Sequence, residues 1–568
     1  MAQKIMTDPQ FSSVIRYSLY FGAVFKLVTF LFNQLLIKFV PPSYLAFNNF
    51  LEFLINSITF FAAEGIRLSC QRIPNANKKS SEETKPLLIS NTYEGSSQSI
   101  INLSYLPLVL GVPISSVIIY LQFGNFTEYF QENDGIVSTL LLGSKNLQIS
   151  VIVVTTGVSI MLNLLTEPFY NLVNYNSQFH LRTKYESTGL IVNCFFNFLT
   201  IATAKKLCTS NPRVFDELAI LIFALGKLFY SITVYLLYYQ NYQKNEIPMV
   251  RLTPQKIINK DDNSYYFDKY ILNYWKTIFL QMIFKNFLTE GDKFIFNYFF
   301  DLNQQGIYSI INNYGSLITR LVFNPIEESL KLILSKMFTA TDDKNKKNST
   351  QSSMKIIRLI LKFYIYLTFV LVLFGYFNAP FLGELFFTKI IKVSWWNANA
   401  STVKSLITFY VIYLPFLAIN GIFEAFCQSI STDESIKKYS YFLSVCSLVF
   451  FGNCYLFIEV LQLQLAGLVI SNIVNMGLRI FYCSISIKNF YSTAGSVKVF
   501  DFNDIIGNWK LFLGVSIGVL SIQIQLNGIT QSFTGLLKNL GIAVFYVGFI
   551  IYNERSQLIP YFSKFQRK

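Results

Sequence analysis

Lys26, Lys285 and Arg320 each stand inside an apolar run long enough to cross a bilayer, where a charge costs roughly 2.5–3.5 kcal/mol on insertion scales. A side chain kept there must face protein or water. The residues around these cations recur at helical spacing. Gly22, Lys26, Thr29 and Asn33 form one polar stripe, and Asn49, Glu52, Asn56 and Thr59 form a second. Gln281, Lys285, Thr289 and Asp292 make a third, with Asn286, Glu290, Lys293 and Asn297 on the adjacent face. Asn313, Ser316, Arg320, Asn324 and Glu327 make the fourth. The chemistry open to such a set is recognition: cations meet an anionic group, and amides and hydroxyls offer hydrogen bonds. Helix–helix glue explains any one of these residues, with Lys26–Glu52 or Arg320–Glu327 as internal ion pairs. A shared cavity lined by all the stripes explains the pattern together, and its cations imply an anionic substrate.

Little else in the chain is equipped to react. His180 is the one histidine, and the seven cysteines contain no C-x-x-C pair, so neither a metal constellation nor a histidine-based catalytic arrangement is expected. No phosphate-cradling G-x-x-x-x-G-K-[ST] occurs. No cofactor is implied, and an enzyme is not expected. The net charge of +15 would suggest nucleic acid for a soluble protein. Here the cations gather between apolar runs, where topology and anionic headgroups account for them.

The elements that must carry the stripes are membrane helices. Of 568 residues, 52% are hydrophobic and 14% charged, too few charges to coat a water-facing globule. Runs of about 20 apolar residues predict an all-α integral membrane protein with about fourteen transmembrane helices. In the first half they fall near Tyr17 to Val40, Tyr44 to Ile66, Ile101 to Phe123, Leu147 to Phe169, Ser187 to Leu207 and Phe215 to Tyr239. In the second they fall near Ile271 to Phe299, Gly306 to Met337, Ile356 to Phe377, Val403 to Cys427, Tyr439 to Glu459 and Leu463 to Ile487, then Trp509 to Leu526 and Gly535 to Tyr552. The first run is too long and too charged for a signal peptide and is expected to stay as a span.

This rhythm gives an N-terminal lobe over 1–245, a cytosolic linker over 246–265, a C-terminal lobe over 266–490, and a final helix pair with a cytosolic tail over 491–568. An even span count puts both termini beside the loops rich in Lys and Arg, such as those holding Arg72, Lys78 and Lys79 or Lys344, Lys346 and Lys347. The positive-inside rule assigns that face to the cytosol. Asn125-Phe-Thr and Asn399-Ala-Ser are possible N-glycosylation sites on the opposite side. Arg72 to Gln98 and Thr339 to Lys355 are expected to be flexible cytosolic loops. Stripes on the first two helices of each half are what a central cavity between repeated lobes requires.

Several blocks carry a family resemblance. LTEGDK at Leu288 to Lys293, QGIY at Gln305 to Tyr308 and NYGSLITRLVFNPIEES at Asn313 to Ser329 closely resemble the eukaryotic Rft-type protein of the endoplasmic reticulum. KLVTF at Lys26 to Phe30, EGIRLS at Glu64 to Ser69, FALGK at Phe223 to Lys227, NGIFEAF at Asn420 to Phe426 and SNIVNMGLR at Ser471 to Arg479 extend the likeness over nearly the whole chain. The resemblance implies the multidrug, oligosaccharidyl-lipid and polysaccharide exporter superfamily, which includes the MurJ-type lipid II flippases. It implies two six-helix lobes around a V-shaped cavity, plus two further C-terminal helices.

For function it implies translocation of dolichol-diphosphate-linked Man5GlcNAc2 from the cytosolic to the lumenal leaflet of the endoplasmic reticulum membrane, for N-glycosylation. The partners are then that glycolipid and the membrane lipids; no protein partner is indicated. Lys26, Arg67, Lys285, Lys293 and Arg320 become the candidate diphosphate ligands, with Asn33, Asn56 and Asn313 lining the glycan cavity. Glu52, Glu290, Asp292 and Glu327 become gate or counter-ion residues. Two other readings stand beside this one: an accessory protein that supports assembly of the glycolipid without moving it, and a cation-coupled exporter of small molecules.

Overall fold

The computed structural model describes residues 25–555 apart from 26, 74–87, 91, 132–144, 177, 209–211, 246–249, 259–263, 277–278, 280–294, 296–298, 340–345, 431–432, 494–505, 507–508 and 527. Among the described residues ten helices are long and apolar enough to cross a membrane, and Leu27–Ile37 and Trp509–Gln525 are shorter apolar helices. The chain divides into two compact units, Met1–Lys293 and Phe294–Lys568.

Unit 1 begins with α1 (Leu27–Ile37) and α2 (Pro42–Cys70). Pro42 at the first turn of α2 follows an extended Pro41; its missing N–H is one that no helix start satisfies. The helix passes through a π-helical segment at Phe60–Glu64 before ending at Cys70. Next come α3 (Tyr93–Leu103), α4 (Leu106–Gln131), α5 (Lys145–Tyr175), α6 (Phe179–Leu207) and α7 (Pro212–Lys244). Thr92 caps α3 by accepting from the Gly95 N–H. The core is made by Leu51, Leu54 and Ile58 of α2, Ile152, Ile160 and Leu164 of α5, Ile201 of α6, and Ala219 and Phe223 of α7. With no water between lipid-embedded helices, close packing and polar contacts hold such a bundle.

Two stretches expected to be flexible loops are partly ordered helix. Gln98 lies in α3 and is fully buried, and residues 346–355 open a helix of unit 2. The reason is tertiary. Gln98 and Asn102 take hold of the segment that follows α7: Gln98 Nε2 donates to the Thr253 carbonyl and Gln98 Oε1 accepts from the Arg251 N–H. Asn102 Nδ2 donates to the Gln255 and Tyr266 carbonyls, and its Oδ1 accepts from the Gln255 N–H. The short antiparallel pair β1 (Ile257–Ile258) and β2 (Ser264–Tyr265) closes this segment, and Ile89 bridges to Ile258. The linker is thus built into unit 1, and the division between units falls beyond it.

Unit 2 starts with α8 (Leu302–Ile318), capped by Asp301 through the Gln304 N–H. It runs through a π-helical turn at Thr319–Phe323 into α9 (Asn324–Thr339). After it come α10 (Lys346–Val370), α11 (Tyr376–Leu385), α12 (Trp396–Ile430), α13 (Asp433–Tyr455) and α14 (Gln464–Thr493). The last pair is α15 (Trp509–Leu526) and α16 (Phe533–Asn553). The main core of this unit joins Phe323, Leu330 and Leu334 to Tyr364, Phe426, Cys483 and Tyr491.

The sequons fall inside helices instead of loops. Asn125 lies within α4, its side chain outside the described residues. Asn399 lies in the first turns of α12 and is 8% exposed. Its Oδ1 accepts from Asn303 Nδ2 at 2.6 Å and its Nδ2 donates to the Trp395 carbonyl at 3.1 Å. Both ends of that amide are engaged within the fold.

Candidate functional site

In unit 1 the described stripe residues lie on α1 and α2. Asn33 of α1 and Glu52 and Asn56 of α2 all lie exposed on the unit's surface, although the helices that carry them are apolar. Lys227, near the middle of α7, reaches across to α2, where its Nζ donates to Glu52 Oε2 at 2.7 Å. The two ends of this pair differ: the Lys227 side chain is 9% exposed and that of Glu52 is 50% exposed. Beside it, Asn197 Nδ2 of α6 donates to Asn193 Oδ1 at 3.0 Å. Both amides press on α7 at Gly226, where an added Cβ would meet Asn197 Oδ1 at 2.2 Å and Asn193 Oδ1 at 2.5 Å. Glycine is what lets the amides lie against the helix backbone next to Lys227. Asn197 Oδ1 is buried and accepts no hydrogen bond from the described residues.

Arg67 occupies a different setting near the end of α2. Its Nε and Nη2 fork onto the two oxygens of Glu167 in α5, at 2.9 and 2.5 Å, and Nη1 reaches Glu64 at 3.4 Å. The Glu167 side chain is only 2% exposed. The guanidinium lies 4.2 Å from the Tyr170 ring centroid and Arg182 lies 5.0 Å from the same ring, a stacked arrangement that suits arginine more than lysine. Breaking a buried forked pair costs about 3–5 kcal/mol. A single-point pair with a half-exposed acid sits nearer the roughly 1 kcal/mol of solvent-reachable pairs. Losing the Arg67–Glu167 pair therefore costs the fold more than losing the Lys227–Glu52 contact.

In unit 2, Asn313 is exposed on α8. Glu327 of α9 lies against α12, where a Cβ on Gly421 would fall within 1.7 Å of Glu327 Oε1. On the same face of α12, Glu424 accepts from Asn420 Nδ2 at 3.4 Å and Gln428 Nε2 at 3.2 Å. Lys331 Nζ donates to Gln428 Oε1 at 2.6 Å. Lys26, Lys285, Glu290, Asp292 and Lys293 lie outside the described residues, as does the Arg320 side chain.

Asn33, Glu52 and Asn56 are each exposed, and Arg67 is tied into a network with Glu167 and Glu64. The residue missed from the sequence is Lys227. It stands in a recognisable block, FALGK, and its acid comes from another helix, α2. No group of three or more possible metal ligands occurs among the described residues.

Comparison with known proteins agrees with this layout. The model of the Rft protein family matches residues 11–564. The chain is 37% identical to the Man(5)GlcNAc(2)-PP-dolichol translocation protein RFT1 of Candida glabrata, over 94% of this chain and 93% of that one. It is 33% identical to the protein of that name in Saccharomyces cerevisiae, over 95% and 93%. Among solved structures it resembles the lipid II flippase MurJ in an inward closed conformation, with a TM-score of 0.56 at 15% identity, over 96% of this chain and 99% of that one. An inward-facing MATE family multidrug transporter matches with a TM-score of 0.51 at 14% identity, over 82% and 96%. At these identities the two structures establish the fold, and the sequence relationship establishes the lineage: the chain is a multi-pass membrane protein that belongs to the Rft protein family.

Proposed function

We propose that this protein moves dolichol-diphosphate-linked Man5GlcNAc2 from the cytosolic to the lumenal leaflet of the endoplasmic reticulum membrane by alternating access. The observation that carries the reading is likeness along almost the full chain to proteins named for that translocation. A fold shared with a lipid flippase supports it. In this reading about fourteen helices form two lobes around a V-shaped cavity with both termini cytosolic. The cluster of Asn33, Glu52 and Asn56 meets the glycan side, and the prenyl chain stays in lipid. Lys26, Lys285, Lys293 and Arg320 supply cations for the diphosphate, Asn313 lines the cavity, and Glu290, Asp292 and Glu327 serve as counter-ions or gate residues. Arg67 shapes the end of the first unit through Glu167.

The test is purified protein in liposomes with a labelled lipid-linked glycan whose exposure in the outer leaflet is read by a lectin. Transfer between leaflets above that of empty liposomes is expected, slowed about tenfold or more by Lys285→Ala or Arg320→Ala. An intact protein that moves no glycolipid, in cells whose glycosylation still depends on it, would make the accessory reading the correct one.

A further inference from the structure

Glu327 is half-buried where α9 packs on α12 at Gly421, and among the described residues its carboxylate accepts no hydrogen bond and meets no cation. Lys331, one turn along α9, is engaged with Gln428 instead. A carboxylate inside a membrane-spanning helix is costly, and such groups are paired or hold a metal ion. The surroundings deepen the deficit. The charges that reach Glu327 are those of two further acids, Glu424 and Glu328. On α12, Asn420 is 7% exposed; its Nδ2 lies 3.4 Å from Glu424, and its Oδ1 is buried without a donor. On α10, Tyr364 is 1% exposed, its hydroxyl is buried without a partner, and the Glu327 charge reaches it. Three helices thus bring unsatisfied oxygens to one place, which is rare in a folded protein unless water or an ion completes the set.

We propose that Glu327, Glu424, Asn420 Oδ1 and the Tyr364 hydroxyl form a site for a monovalent metal cation of the sodium type between α9, α10 and α12. The donor set is all oxygen, which suits a hard cation. The charge fits as well. Glu424 is already shared with the amides of Asn420 and Gln428, and Arg479 of α14 stands close enough that both charges reach the Tyr439 hydroxyl. Glu327 is left with one negative charge that no described cation offsets. A proton there would satisfy one acceptor; a metal ion satisfies all of them. Entry is from the side where Gln428 and Lys331 are exposed. When bound, the ion ties α9 and α10 to α12; when it leaves, neighbouring carboxylates repel, so occupancy sets how tightly this part of unit 2 closes. The site goes beyond the glycolipid reading, which does not depend on it.

Binding of radiolabelled sodium to the full-length protein in nanodiscs tests the assignment, with Tm in sodium chloride against choline chloride at equal ionic strength as a second reading. Saturable binding is expected, with a Tm that rises with sodium. Glu327→Gln is expected to weaken binding about tenfold or more and to abolish the sodium-dependent rise in Tm, and Tyr364→Phe to weaken binding several-fold. Glu328→Gln, an exposed acid on the same turn, is expected to bind as the intact protein does, which separates ligation from a general loss of negative charge. No saturable binding, or binding that Glu327→Gln retains, overturns the site. A Tm that follows pH and ignores sodium overturns it too, since Glu327 then holds a proton. Should Glu327→Gln fail to purify, Tyr364→Phe decides alone, and unchanged sodium affinity there rejects the site. None of these failures touches glycolipid movement, which is measured without reference to Glu327.

Discussion

Arg67 and Lys227 are both cations within apolar helices, and the positions of their acids give them different work. Glu167 is buried and forked by Arg67, so losing it strands a guanidinium beside the Tyr170 ring. Glu167→Gln is expected to destabilise the protein by about 3–5 kcal/mol, read as a large fall in Tm in detergent. Arg67→Met in the same background should recover part of that loss, since the guanidinium goes with its buried acid and only the partly exposed Glu64 loses a partner. This energetic distinction was not legible in the sequence, where Arg67 and Lys26 both read as candidate diphosphate ligands by the family resemblance. Glu167 itself, inside the apolar run Leu147 to Phe169, gave no stripe to mark it.

Helices α3 and α7 and the segment after α7 show how polar side chains act at the scale of elements. Ser96, Ser97, Gln98, Ser99 and Asn102 are all buried, so α3 turns a polar face inward, toward a backbone that needs partners. Gln98 and Asn102 satisfy the linker carbonyls and amides at Arg251, Thr253, Gln255 and Tyr266. At about 1 kcal/mol for each hydrogen bond, Asn102→Leu forfeits roughly 2–3 kcal/mol of that docking. Trypsin cleavage at Arg251 and Lys256 should then quicken by about 30-fold or more, with the membrane helices left intact. The polar composition of residues 72–98 suggested a flexible loop because composition reports the number of polar groups and not whether backbone lies opposite them.

For the molecule as a whole, the outward faces are apolar and the internal ties polar. Leu31, Val109, Leu121, Leu448, Phe481 and Val544 are among the large apolar side chains left exposed, as a lipid solvent permits. The final pair, α15 and α16, is fastened to the rest of unit 2 by polar clamps. Asn378 Oδ1 accepts from Thr530 and from Asn539. Lys362 and Tyr366 both donate to Glu554, at 2.7 and 2.5 Å, and all three side chains sit largely out of solvent. Replacing Asn539 by Leu and Glu554 by Gln together is expected to leave Lys362 and Asn378 short of partners. The outcome is a lower Tm and faster hydrogen exchange confined to α15 and α16, measured by mass spectrometry. Exchange rising equally across unit 2 would place the clamps in the general core instead.

What the sequence alone determined was the solvent and the lineage. Apolar runs matched to bilayer thickness announce membrane helices because a lipid core accepts little else, and the blocks from Leu288 to Ser329 carry the family likeness without any coordinates. Helical periodicity along α2 puts Glu52 and Asn56 on one face, and both are exposed. Only tertiary structure decided which charge meets which. Lys227 finds Glu52 across 175 positions and Arg67 finds Glu167 across 100, and nothing in local spacing reports a partner on another helix. How much such a pair contributes to the fold depends on how deeply that distant acid lies.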